Sequence, residues 1–117
     1  MRGRRRGMRT PGLVLALVLA GVPAAAQAPP GDPERGRSLA ARRCARCHQV
    51  LAGSRGLTAA GAPAFQAVAD DPATSGAGLR AFLLASHKDA PGVPLTSEET
   101  GDVVAYILGL KGWRPPA

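Results

Sequence analysis

Cys44-Ala45-Arg46-Cys47-His48 is the stretch whose reading decides this chain. It holds both cysteines of the 117 residues and one of only two histidines. Residues i and i+3 lie on one face of a helical turn. Two thiols at that spacing reach two neighbouring substituents on one edge of a flat macrocycle. The imidazole that follows points at its centre from the same side. A Cys-x-x-Cys-His run of this kind reads as a c-type haem attachment site. It predicts two thioether bonds, from Cys44 and Cys47, and one axial iron ligand, His48.

Three other readings compete. A thioredoxin-like redox pair needs a βαβ context, and no strand–helix–strand pattern surrounds the motif. A zinc site needs four ligands, or three and a water. Only His87 could join the cluster, and there is no second cysteine pair. A plain disulfide in an exported protein is the third.

The first 26 residues read as a secretory signal peptide. Arg2, Arg4, Arg5, Arg6 and Arg9 form a basic start, Leu13 to Val22 a short apolar run, and Ala24-Ala25-Ala26 a small-residue cleavage site before Gln27. The apolar run is shorter than the ~20 residues of an ordinary spanning helix. The expectation is therefore export to a bacterial periplasm with no stable membrane span, or a tether if the leader is not cleaved.

Removing the leader changes the charge. The whole chain has 15 basic and 8 acidic residues, a formal +7. Five basic residues and no acids leave with the leader, so ten stand against eight, a formal +2. Two haem propionates bring that to about zero, because bound groups count in local electrostatics. The basic balance therefore predicts no nucleic-acid partner. A local bias persists in Arg35, Arg37, Arg42, Arg43 and Arg46 around the motif. It could steer an acidic redox partner, or be a solvated helix face.

Residues 27–32 read as a flexible Pro-rich start, 33–111 as one domain and 112–117 as a tail. Asp32-Pro33-Glu34 is a helix opening, with a cap, a proline at the first position and an acid at the positive end of the dipole. The first helix is expected over Pro33–Arg43, with Gly36, Leu39 and Ala40 on one face. Gly53 to Pro63 reads as a loop, Ala64 to Ala69 as a short helical turn, and Pro72 to Gly78 as another loop. Leu79 to Ser86 reads as a helix offering Leu79, Phe82, Leu83 and Ala85 to the interior, and His87 to Leu95 as irregular. Thr96-Ser97-Glu98-Glu99 is a capping box. It opens a last helix through about Leu110 with the stripe Val103, Tyr106, Ile107 and Leu110. The class is all-α with long loops. A domain of about 90 residues with four aromatics needs a staple, so the haem-free chain is expected to fold poorly.

Over residues 33–111 the chain resembles the small class I cytochrome c domain family. The Cys-x-x-Cys-His motif carries the resemblance, with Gly36 eight residues before Cys44 and Tyr106 in the last helix. The resemblance implies a cytochrome c-like fold: first and last helices cross at that glycine and aromatic, and long loops wrap one covalent haem c. It also implies that the Pro63 carbonyl, in Gly61-Ala62-Pro63, accepts a bond from the ring N–H of the proximal histidine. Such a contact orients the ring and raises its basicity.

The chain departs from the family on the distal side. The usual sixth ligand is a methionine in the loop before the last helix, but that loop reads His87-Lys88-Asp89-Ala90-Pro91. The only methionines are Met1 and Met8, both in the leader. Three arrangements stay open: an open or water-bound iron, ligation by His87, and ligation by a deprotonated Lys88. Loss of methionine predicts a lowered potential. The resulting expectation is a mono-haem electron-transfer protein cycling Fe(II) and Fe(III) with a redox partner protein. The alternative is a haem protein that binds or senses small ligands at an open distal site. Peroxidase-like catalysis ranks last, because no acid–base group besides His87 is placed near the distal face.

Overall fold

Asp32 opens the first helix, α1 (Pro33–Arg43), by accepting the N–H groups of Glu34 and Arg35 on its side chain. Pro33 occupies the first turn, where no intrahelical N–H is required. The computed structural model describes residues 31–58, 61–85, 87 and 94–117. It adds α2 (Phe65–Asp70), α3 (Gly76–Ala85) and α4 (Ser97–Gly109). Among the described residues there is no β-strand, only an isolated bridge between Leu57 and Pro63. The class is all-α, as expected. The proposed leader and most of the proposed flexible start lie outside the described residues, as do Ser86, Lys88, Ala90 and Pro91. No helix of the described residues is long and apolar enough to cross a membrane.

The first and last helices form the framework. On α1 the buried positions are Gly36, Leu39 and Ala40. They meet the α4 stripe, of which Val103, Tyr106, Ile107 and Leu110 are all buried. The crossing is close because Gly36 has no side chain. A Cβ built there would lie 2.0 Å from the Asp102 carbonyl oxygen and 2.9 Å from Tyr106 Cβ. Gly31 repeats the arrangement one turn earlier, facing the Gly101 carbonyl. α4 begins with the complete capping box at Thr96 and Glu99.

A charged cluster locks the crossing at its polar edge. The buried Asp102 carboxylate accepts from Arg35 Nε at 2.9 Å and from the Asp32 backbone N–H at 2.7 Å. The Arg35 guanidinium, and then the Asp32 N–H, hold this carboxyl below its ordinary range. Arg43 pairs with Glu99 and donates to the Pro94 carbonyl. Two of the five arginines around the motif are thus taken up by structural contacts.

α3 departs from the sequence reading in two ways. It starts at Gly76, three residues before the expected Leu79. Two glycines gave that stretch a loop-like composition, but the Ser75 hydroxyl accepts the Gly78 N–H and caps the turn. Gly76 also lets the backbone approach Leu108 and Val104 of α4. Second, none of its residues is fully buried. Phe82 is 51% exposed and Ala85 is exposed. The apolar face meant for the interior instead flanks a cavity.

Candidate haem-binding site

α1 delivers the motif to that cavity. Past Arg43 the chain keeps turning: the Cys44 N–H donates to the Ala40 carbonyl, and the Cys47 and His48 N–H groups both donate to the Cys44 carbonyl. This single turn puts Cys44, Cys47 and His48 on the wall of one cavity of about 460 Å³. The volume falls within the range of sites that take cofactor-sized ligands. Phe65 and Val68 of α2, Leu79 and Leu83 of α3, and Val103 and Ile107 of α4 supply apolar walls.

Both thiols are free. Cys44 is buried, and burial pushes its thiol up to about 11. It therefore faces the cavity protonated at neutral pH. Cys47 is exposed at the rim, and the Thr58 hydroxyl donates to its backbone carbonyl.

His48 is the best-defined group of the site. Its Nδ1 lies 2.7 Å from the Pro63 carbonyl oxygen. A carbonyl only accepts, so Nδ1 carries a proton, and Nε2 is the nitrogen turned away from that contact. The Phe65 ring packs 5.3 Å from the imidazole at a 53° tilt. Phe65 itself is fixed by its N–H to the Gln49 carbonyl and by the Tyr106 ring at 6.4 Å. Tyr106 in turn donates its hydroxyl to the Val50 carbonyl at 2.6 Å.

His87 reaches the same cavity from the end of α3. Its ring centroid is 5.9 Å from that of His48, with the planes 33° apart. Arg55 pairs with Asp70 at 3.1 Å, and Arg80 donates to the Ser97 hydroxyl.

Two residues of the site's support carry no sequence signal. Gln66 is completely buried, accepting the Gly53 N–H and donating to the Leu110 carbonyl. It ties the loop after the motif to the end of α4. Thr58 is the other. Phe65 could have been found as the aromatic two residues after Pro63.

The residues present fit a covalently held porphyrin: paired thiols at one edge, an imidazole oriented through Nδ1 by the Pro63 carbonyl, and apolar walls. The chain belongs to the cytochrome c family, whose model, described as Cytochrome c, matches residues 33–111. A relative, cytochrome c-552 of Bradyrhizobium diazoefficiens, is 39% identical over 97 residues, covering 83% of this chain and 92% of that protein. No solved structure matches significantly. Membership of this family means one covalent haem c and a role in electron transfer.

Proposed function

We propose that this chain is an exported, periplasmic mono-haem electron carrier in which Cys44 and Cys47 form the thioethers and His48 Nε2 is the proximal iron ligand. The observation that carries the assignment is the 2.7 Å contact from His48 Nδ1 to the Pro63 carbonyl. It turns Nε2 away from Pro63, in the cavity that both thiols line. Cys44 and Cys47 would hold the haem as two thioethers, an attachment that needs no net redox change. When bound, the haem supplies a one-electron Fe(II)/Fe(III) couple.

The protein's part is to hold and shield that couple. The Pro63 carbonyl fixes the His48 ring and raises its basicity, which favours the ferric state. Phe65, Val68, Leu79 and Leu83 would shield a bound macrocycle from water, and the exposed Cys47 would leave its attachment edge open to a partner. Arg37, Arg42 and Arg46 are exposed and form no ion pair among the described residues. They are suited to an acidic partner surface. Export rests on the basic, apolar and Ala-rich segments of residues 1–26.

The test is expression with a haem-attachment system, followed by periplasmic fractionation and pyridine haemochrome spectroscopy. The expected product is a mature chain carrying one haem that survives acid–acetone extraction and titrates as a single one-electron couple. Cys47→Ala is expected to shift the haemochrome band to that of a single thioether. Extractable haem in the wild type would refute the assignment.

A further inference from the structure

We propose that His87 is the distal axial ligand of the haem iron, making this a bis-histidine cytochrome. The inference rests on the proximal assignment of His48. Candidate sixth ligands are few. Residues 9–117 contain no methionine, both cysteines are used at the macrocycle edge, and His87 is the one histidine besides His48.

Geometry singles out His87 among the described residues. Both imidazoles line one cavity, and their centroids are 5.9 Å apart. A metal–imidazole bond is about 2 Å, so two rings on opposite sides of one metal have ligating nitrogens about 4 Å apart and centroids about 6 Å apart. The observed 5.9 Å separation leaves room for one metal between the two rings. His48 is turned so that Nδ1 faces Pro63, leaving Nε2 directed away from that contact.

The His87 ring is also positioned rather than loose. Its backbone N–H closes the end of α3 on the Phe82 carbonyl at 2.9 Å. The Phe82 ring meets the imidazole edge-on at 5.7 Å and 77°. It is half-buried, and no hydrogen bond among the described residues engages its ring nitrogens. A histidine at the end of a helix, braced by an aromatic and lining the same cavity as His48, is set up to ligate.

The experiment uses the purified holo-protein. Absorption and electron paramagnetic resonance spectra are expected to be low-spin and six-coordinate in the ferric form, and the ferrous form not to bind CO within the mixing time. His87→Ala is expected to turn both oxidation states high-spin and to bind CO at once. His87→Gly is expected to regain the low-spin spectrum on adding imidazole. A high-spin, CO-binding wild type would overturn the proposal in favour of an open site. A low-spin spectrum unchanged in His87→Ala would overturn it in favour of another ligand, such as Lys88. Because the wild-type spectra stand alone, poor folding of a variant does not rescue the idea. The haemochrome assay keeps the two claims apart. Covalent haem with a high-spin iron removes His87 alone, whereas extractable haem removes the underlying assignment.

Discussion

Gly36 and Asp102 meet backbone to backbone: a Cβ on Gly36 would lie 2.0 Å from the Asp102 carbonyl oxygen. No side-chain rotation relieves that contact, because the obstacle is main chain. Gly36→Ala must therefore push α1 and α4 apart. Overpacking of this kind costs about 1–3 kcal/mol, and the loss is expected at the upper end. Denaturant unfolding of the holo-protein, followed on its haem absorption, measures it. A cost near zero would mean that the two helices do not cross this closely in solution.

Gln66 closes a different seam. Its amide satisfies the Gly53 N–H and the Leu110 carbonyl from a completely buried position. Gln66→Leu has similar bulk and satisfies neither. The Leu110 carbonyl keeps the Trp113 N–H, so the group left without a partner is the Gly53 N–H, at a cost of about 1–3 kcal/mol. The same denaturant experiment should show a loss of about that size. Faster hydrogen exchange at the Gly53 amide would locate it.

Haem removal should be far more disruptive than either substitution. α3 has no fully buried residue, and its apolar side chains stand around the cavity. The double variant Cys44→Ala/Cys47→Ala, isolated without haem, is expected to lack a sharp thermal transition and to bind a hydrophobic dye. A cooperative melt like that of the holo-protein would show that α1 and α4 hold the fold unaided.

Acid should weaken the helix crossing through Asp102. Its carboxyl is held below the usual range, first by the Arg35 guanidinium and then by the Asp32 N–H. A depressed folded value stabilises the native state in full above the unfolded value of about 4. That contribution is lost as pH falls through the lower folded value. Asp102→Asn should thus be less stable than wild type at pH 7, with the gap narrowing in acid. Urea midpoints of both proteins between pH 7 and pH 3 give the comparison. A constant gap would place the effect of Asp102 in its shape rather than its charge.

Local signals in the sequence were strong where short-range physics dominates. Asp32-Pro33 and the Thr96 capping box announce two helix starts, because capping satisfies N–H groups within three residues. The period of Leu39 and Ala40, and of Val103, Tyr106 and Ile107, identifies the buried faces of α1 and α4. α3 misled for the same local reason. Gly76 and Gly78 look like loop residues until Ser75 caps them and α4 packs against them.

By itself the sequence determined the chemistry available to this protein: two thiols and an imidazole at one helical turn, and no methionine after Met8. Those are properties of residue identity and spacing, which survive any fold. Only the tertiary structure decided what stands across from them. It brings Pro63 to one nitrogen of His48 over a separation of 15 residues, and His87 to within 5.9 Å of the ring from the end of another helix. Loop residues carry no periodicity that would predict such approaches. Their positions follow from how closely α1 and α4 cross at Gly36 and from where α3 rests on α4, and both depend on packing between distant parts of the chain.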